Sequence, residues 1–288
     1  MRLEFIDELD TFAARAWPLL IADEANHTIL LSALQGARRA REAGAPDPGT
    51  TPWRSVVVCD SGRVVAAGFR SRGNWLMSTG PVPAFDAIGA ALHGESAFEG
   101  IVGPEASARA CADACGRAMH LHLSLPLMRL EGEPDAGPVP QRGRLLTLTE
   151  RIAFELWRTL LDWSLAFHLE AHLAEPRESV EPDLRARLKR GTLYVWLDES
   201  RVPACMVGAG PIPPTGARIA PVYTPPELRG RGYARAAVAA ASRLMLERGA
   251  RAVFLFTDAS NPTSNALYQK LGFVPIGLHV HLTVTRPE

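Results

Sequence analysis

The chain has 288 residues, of which 47% are hydrophobic and 22% charged, with 31 basic against 31 acidic side chains. That length and apolar content suffice for one large domain or two ordinary ones with full cores, and exclude disorder for most of the chain. A formal charge of zero excludes a protein that tracks nucleic-acid phosphates through a basic surplus. Because 29 of the 31 basic residues are arginine, a single arginine carries little functional information.

In chain order, residues 7–43 place Leu9, Phe12, Ala13, Trp17 and Leu20, then Ile29, Leu30, Ala33 and Leu34, at three- and four-residue steps, which predicts two helices. Pro46, Pro48 and Pro52 mark a loop after them. Residues 55–59 and 63–67 flank Asp60-Ser61-Gly62, a hairpin signal, and 75–78 adds a short strand. A strand over 98–102 runs into Gly103-Pro104-Glu105, followed by a helix over 106–119 and a strand over 120–130.

Residues 131–143 are rich in proline and glycine and nearly devoid of large apolar side chains, the composition of a linker. They divide an N-terminal domain, 1–130, from a C-terminal one, 144–288. The second domain repeats the order of the first: a helix over 149–174, a hairpin of 193–197 with 202–208, a strand at 219–224, a helix at 233–248, a strand at 252–257, a helix at 263–271 and a strand at 276–284. Both halves pass from helix through hairpin to alternating strand and helix, so the expected class is α/β (α+β) with a weak tandem duplication of one fold.

Cys59, Cys111, Cys115 and Cys205 include no C-x-x-C pair and are too few for a disulfide framework. Cys111 and Cys115, four residues apart on a helix, are read as small buried apolar groups in preference to a metal or redox pair. The N-terminus lacks a basic-then-apolar signal pattern, and no stretch approaches the ~20 apolar residues that cross a bilayer. A cytoplasmic location without membrane contact is expected.

The informative stretch runs from Val222 to Arg235. A β-branched strand enters a short loop with Gly230 and Gly232, and the loop opens into a long alanine- and leucine-rich helix. Glycine lets backbone approach a ligand closely, and the first turn of a helix offers unpaired N–H groups and the positive end of its dipole, which together favour phosphate. A nucleotide P-loop needs Gly-Lys-Ser/Thr, and a dinucleotide fold needs G-x-G-x-x-G; neither is present.

The sequence Arg229-Gly230-Arg231-Gly232-Tyr233-Ala234 fits Arg/Gln-x-x-Gly-x-Gly/Ala, and thus resembles the coenzyme A pyrophosphate loop of the GNAT superfamily of N-acetyltransferases. About 30 residues on, Asn261 to Phe273 is similar to the same family's N-x-x-x-x-x-x-Y-x-K-x-G-F segment, with Asn261, Asn265, Tyr268, Lys270 and Gly272 in place. The resemblance covers roughly residues 145–285. The N-terminal half keeps only a strand-Gly-Pro-Glu-helix echo, so a degenerate, catalytically silent GNAT-like half is expected. The layout is similar to that of the tandem mycothiol synthases.

The resemblance implies mixed, mostly antiparallel twisted sheets flanked by helices, with acetyl-CoA as cosubstrate, no metal, and direct transfer to a primary amine of a small molecule or peptide. It implies that backbone N–H groups of Val222, Tyr223 and Thr224 meet the thioester and pantetheine. Arg229, Gly230, Arg231, Gly232, Tyr233 and Ala234 would hold the pyrophosphate, with Asn261 and Asn265 near the pantetheine arm and Tyr268 as general acid. Glu170 is the first candidate for the base or an acceptor contact. Glu227 reads as a solvated or helix-entry carboxylate, and Asn261 doubles as a helix N-cap. His168 and His172, four apart, lack a third metal ligand, and His120, His122, His279 and His281 alternate on strands. A non-catalytic CoA-binding sensor and an oligomeric interaction module are the rival readings, and a homodimer stays open.

Overall fold

The computed structural model describes residues 1–42, 44, 54–95, 98–137, 143–173 and 175–285. The proline-marked loop at 46–52 and residues 138–142 of the expected linker lie outside them. The first half runs β1 (Arg2–Ile6), α1 (Leu9–Ala22), α2 (Thr28–Glu42), β2 (Ser55–Asp60), β3 (Arg63–Ser71), β4 (Asn74–Met77), α3 (Val82–Ala91), β5 (Gly100–Pro104), α4 (Glu105–Cys115) and β6 (Met119–Leu130). The second runs β7 (Arg144–Thr147), α5 (Glu150–Glu170), α6 (Arg177–Arg190), β8 (Leu193–Leu197), β9 (Pro203–Ile212), β10 (Gly216–Tyr223), α7 (Tyr233–Glu247), β11 (Ala252–Phe256), α8 (Pro262–Lys270) and β12 (Phe273–Val284).

Four elements lack the signals used above. Two are the short edge strands β1 and β7, and a third is α3. The fourth, α6, is mostly charged and carries Pro182 inside it, yet it buries Val180, Leu184 and Leu188, one residue per helical turn. Residues 131–137 are not free chain. Asp135 N donates to Leu271 O, Arg243 Nη2 to Pro134 O and Arg235 Nε to Asp135 O, which lays the segment along α7 and the end of α8.

All strands join one mostly antiparallel sheet in the order β1-β2-β3-β4-β5-β12-β6-β11-β10-β9-β8-β7. The two halves exchange their last strands. β12 of the second half pairs antiparallel with β5 of the first, and β6 of the first pairs antiparallel with β11 of the second. β6 and β12 are both 12 residues long and pair with each other along nearly their whole length, so the junction is a continuous ladder and not a surface contact.

Helices cover both faces of the sheet, each burying one apolar stripe. α1 and α2 pack through Phe12, Leu20 and Leu31 on Val57 and Phe69, and α5 and α6 pack through Leu160 and Leu184 on Val195 and Met206. On the opposite face α3 and α4 sit over Val56, Val58 and Trp75, and α7 sits over Val207, Val253 and Leu255. Cys111, Cys115 and Cys205 are buried and unpaired in these layers, and burial raises the thiol pKa of Cys111.

β12 turns His279 toward the α1–α2 connection, where it is 1% exposed and its Nδ1 has no hydrogen-bond partner. Burial first, then the nearby His27 and Arg218, push its pKa down to about 3. The folded state therefore holds a neutral ring that the unfolded chain protonates below about 6.5. Stability from this group is complete above pH 6.5 and drains away as the pH falls toward 3. Lowering the pH from 7 to 5 is expected to cost about 2 kcal/mol through His279 alone. Urea midpoints at the two pH values check this, since His279→Gln should shrink the difference.

Candidate active site

The site begins where two parallel strands part. β10 and β11 pair only over Gly216–Arg218 with Ala252–Phe254. Beyond that, β10 stays with β9 as far as Tyr223, while the chain after β11 stays with β6 through Thr257 N to Pro126 O and Ala259 N to Ser124 O. A register shift in the β10–β9 ladder lies between Ile219 and Val222, just past the residues paired to β11. The edge carrying Val222, Tyr223 and Thr224 faces a wedge with no ladder partner, which is where an extended ligand can add strand-like hydrogen bonds.

At the mouth of the wedge lies the turn Arg229–Gly232. A 3-10 turn, Pro226–Leu228, leads in, and Gly230 and Gly232 adopt φ of 75° and 80°. Gly232 is the N-cap of α7, so its left-handed conformation aims the first N–H groups of the helix outward. Tyr233 is buried with the alanine face of α7 in the core, which pins the helix, and a Cβ at Gly230 would meet nothing within 4 Å. The turn is thus anchored from behind and open in front.

Tyr268, on α8, is 8% exposed and packs edge-on to Phe273 at 6.0 Å. Burial, and then the nearby Cys205, push its phenol pKa well above the ordinary range, so the group is protonated at any physiological pH. The Cys205 thiol in turn stands beside the Thr224 side chain and the Tyr223 backbone. Thr224 Oγ1 is buried and has no hydrogen-bond partner. Tyr268 and Cys205 belong to one buried core cluster, with the Thr224 side chain beside the thiol. In sequence Cys205 was only one of four cysteines outside any C-x-x-C pair, since nothing local ties β9 to α8.

The remaining candidates do supporting work. Asn261 caps α8 by accepting from Ser264 N at 3.0 Å, and Asn265 Nδ2 donates to Asp258 O at 3.1 Å, fixing the loop after β11. Arg231 Nη2 donates to Glu227 O. Ala234 is a half-buried first-turn residue. Arg229 donates from Nη2 to both oxygens of Glu170 at 2.8 and 2.7 Å and from Nε to Thr224 O at 2.9 Å, with its guanidinium 5.7 Å from the Tyr223 ring centroid. Glu170, hydrogen-bonding first, raises the Arg229 pKa. These two residues, one expected to hold a pyrophosphate and the other to meet the acceptor, are an ion pair in which one guanidinium nitrogen bonds both carboxylate oxygens.

The histidines divide by position. His122 and His281 rings meet edge to face at 5.2 Å, with His122 Nε2 2.7 Å from His172 O, while His168 Nδ1 lies 2.7 Å from Ser164 O. Among the described residues no group of three or more His, Cys, Asp or Glu side chains is arranged to hold a metal ion. No helix of the described residues is long and apolar enough to cross a membrane.

The family model described as Acetyltransferase (GNAT) family matches residues 152–273. A mycothiol acetyltransferase of Paenarthrobacter aurescens (strain TC1) is 42% identical over 65 residues, which are 23% of this chain and 20% of that protein. The chain thus spans about a fifth of the length of the curated relative it matches. Among solved structures, a GCN5-related N-acetyltransferase from Sphaerobacter thermophilus superposes with a TM-score of 0.64 at 15% identity, over 99% of this chain and 96% of that one. A tandem GNAT protein from the clavulanic acid biosynthesis pathway superposes with a TM-score of 0.60 at 15% identity over 100% of both chains. At such identities the likeness shows the fold, and it extends across both halves.

Proposed function

Residues 152–273 belong to the acetyltransferase (GNAT) family, and from that premise we propose that the chain is an acetyl-CoA-dependent N-acetyltransferase acting on a primary amine, with the chemistry in the C-terminal half. The observation that carries this reading is the Arg229–Gly232 turn, set at the N-terminus of α7 and at the mouth of the wedge between β10 and β11. The residues fit the cosubstrate. The turn offers N–H groups to a pyrophosphate, and the partnerless edge of β10 suits the amides of a pantetheine arm. The buried Thr224 Oγ1, beside the Cys205 thiol, adds a hydroxyl to that edge of β10.

Acetyl-CoA, when bound, supplies an acyl group activated as a thioester and a thiol whose departure needs a proton. On the protein side, N–H groups of Val222 to Thr224 would hold the acyl carbonyl where negative charge develops, the arrangement that contributes most to acyl transfer. Tyr268 would hold the proton for the leaving sulfur at its phenolic oxygen, and its burial keeps that oxygen protonated. The amine would enter from the face lined by α5 and β6. The relative from Paenarthrobacter aurescens is a mycothiol acetyltransferase, and the acceptor of this chain is a separate matter.

Calorimetric titration with acetyl-CoA, paired with a thiol-release assay against an amine panel, tests the reading. Binding below about 1 mM with turnover of at least one amine is expected; absence of binding would sink it. Glu170 receives a narrower role. With both oxygens held by Arg229, it is placed to orient that guanidinium and not to take a proton. Glu170→Gln is therefore expected to raise the acetyl-CoA KM by a few-fold and to spare kcat the 10²–10⁴-fold loss of a missing base. A loss of that size, with a changed acid limb in the pH profile, would make Glu170 the base instead.

A further inference from the structure

On the sheet face shared by α1, α2, α5 and α6, the central strands are left between two pairs of helices, and three side chains lie in a row across them. Arg218 of β10 stands 5.5 Å from the Phe256 ring centroid of β11, and Phe256 meets His279 of β12 edge to face at 4.9 Å. One wall is α6, where Arg187 Nε is bound to Asp183 at 2.7 Å and Nη1 donates to Ala220 O. The other wall is the α1–α2 connection. Glu24 ties it to the β9–β10 turn through Thr215 N and Oγ1, and Asn26 Oδ1 lies 3.4 Å from His279 Nε2.

Arg218 is the unresolved charge in this row. Asp183, the nearest acid on α6, is already committed to Arg187, and among the described residues no carboxylate lies within ion-pair distance of Arg218. Its Nε is buried with no hydrogen-bond partner, as is Nδ1 of His279 on the far side of Phe256. Burial first, then the like charge of Arg187, push the Arg218 pKa down to about 10, which marks the setting as costly for a cation. Arg218 and Phe256 nonetheless keep part of their surface accessible, so this end of the row is not sealed in the core. A buried guanidinium left without an anion is destabilising unless another molecule brings one.

Arg218 is also the last β10 residue paired to β11, at the apex of the wedge and four residues before Val222. At roughly 3.3 Å per residue, the cation lies on the order of 10 Å from the place where the thioester would sit. From this juxtaposition we infer that the acceptor is an amine that also carries a carboxylate, set several bonds from the amine, and that Arg218 is the residue that binds that carboxylate. The inference rests on the acetyl-transfer reading of the wedge and names the class of acceptor for it. A bidentate guanidinium–carboxylate pair under the Phe256 ring would satisfy Nε and orient the amine along β10 toward the thioester.

The probes are 6-aminohexanoate, its amide 6-aminohexanamide, and glycine. In the full-length protein the acid is expected to exceed the amide in kcat/KM by 10- to 100-fold, the worth of one hydrogen-bonded charge, and glycine, whose amine and carboxylate are adjacent, should fall with the amide. Arg218→Met should bring the acid-to-amide ratio close to one, while Arg218→Lys should keep part of it. Removing an uncompensated buried cation does not unfold a protein, so the Arg218→Met Tm is expected at or above the parent's. A parent ratio near one, or a ratio that survives Arg218→Met, would overturn the inference. Ligand-observed NMR of the same acid and amide reads the carboxylate site without turnover. A preference there in a protein that neither binds acetyl-CoA nor releases thiol would defeat the transferase reading and leave the anion site standing.

Discussion

Replacing Tyr268 with phenylalanine is expected to lower kcat about 100-fold or more while leaving the acetyl-CoA Kd within about twofold, the signature of a lost proton donor. The ring is 8% exposed and packed on Phe273, and phenylalanine keeps that packing. The hydroxyl lies near Cys205, whose thiol stands beside the Thr224 side chain. Because burial holds the phenol protonated, the variant should lose rate at every pH and not only on one limb of the profile. Fluorescence titration of acetyl-CoA and stopped-flow thiol release separate the two parameters. A parent-like kcat would remove Tyr268 from the chemistry, and an equal loss of affinity would make it a binding residue.

Gly232→Val is expected to weaken acetyl-CoA binding by 100-fold or more. Gly232 sits at φ 80° as the N-cap of α7, a conformation that β-branched residues avoid. The strained residue would turn the first N–H groups of the helix away from the wedge, and its side chain would stand where the pyrophosphate must approach. A matched control is available at the other end of the helix. Gly249, at φ 95° with open space around it, should lose comparable stability on substitution by valine and keep its affinity for acetyl-CoA. Equal affinity in the parent and Gly232→Val would take the turn out of the binding site.

The site residues differ sharply in how far local sequence could place them. Arg229 to Ala234 and Asn261 to Phe273 are contiguous segments whose glycines, cap and helix spacing define a strand-turn-helix and a capped helix wherever they occur. Their meeting at one wedge follows from β10 and β11 being neighbours. Glu170 belongs to a different case. Its position on α5 was readable, but its ion pair with Arg229, 59 residues away, was not. Arg218 was hidden for a further reason: in a chain with 29 arginines, only the absence of a partner distinguishes one from the rest, and absence is a property of the packed structure.

Local sequence specified most of the elements and their order: helix pairs by apolar spacing, hairpins by Asp-Ser-Gly and Asp-Glu-Ser turns, and a strand-turn-helix by two glycines before a helix. It also showed a doubling of that order, which one 12-stranded sheet now spans. Packing between distant segments set the last strand of each half in the other half's part of the sheet, brought Cys205 near Tyr268 and Thr224, and left Arg218 Nε buried without a hydrogen-bond partner. The physical reason is range. Periodicity and capping act over a few residues along the chain, whereas strand partners, buried neighbours and uncompensated charge are set by which distant segments share one face of a sheet.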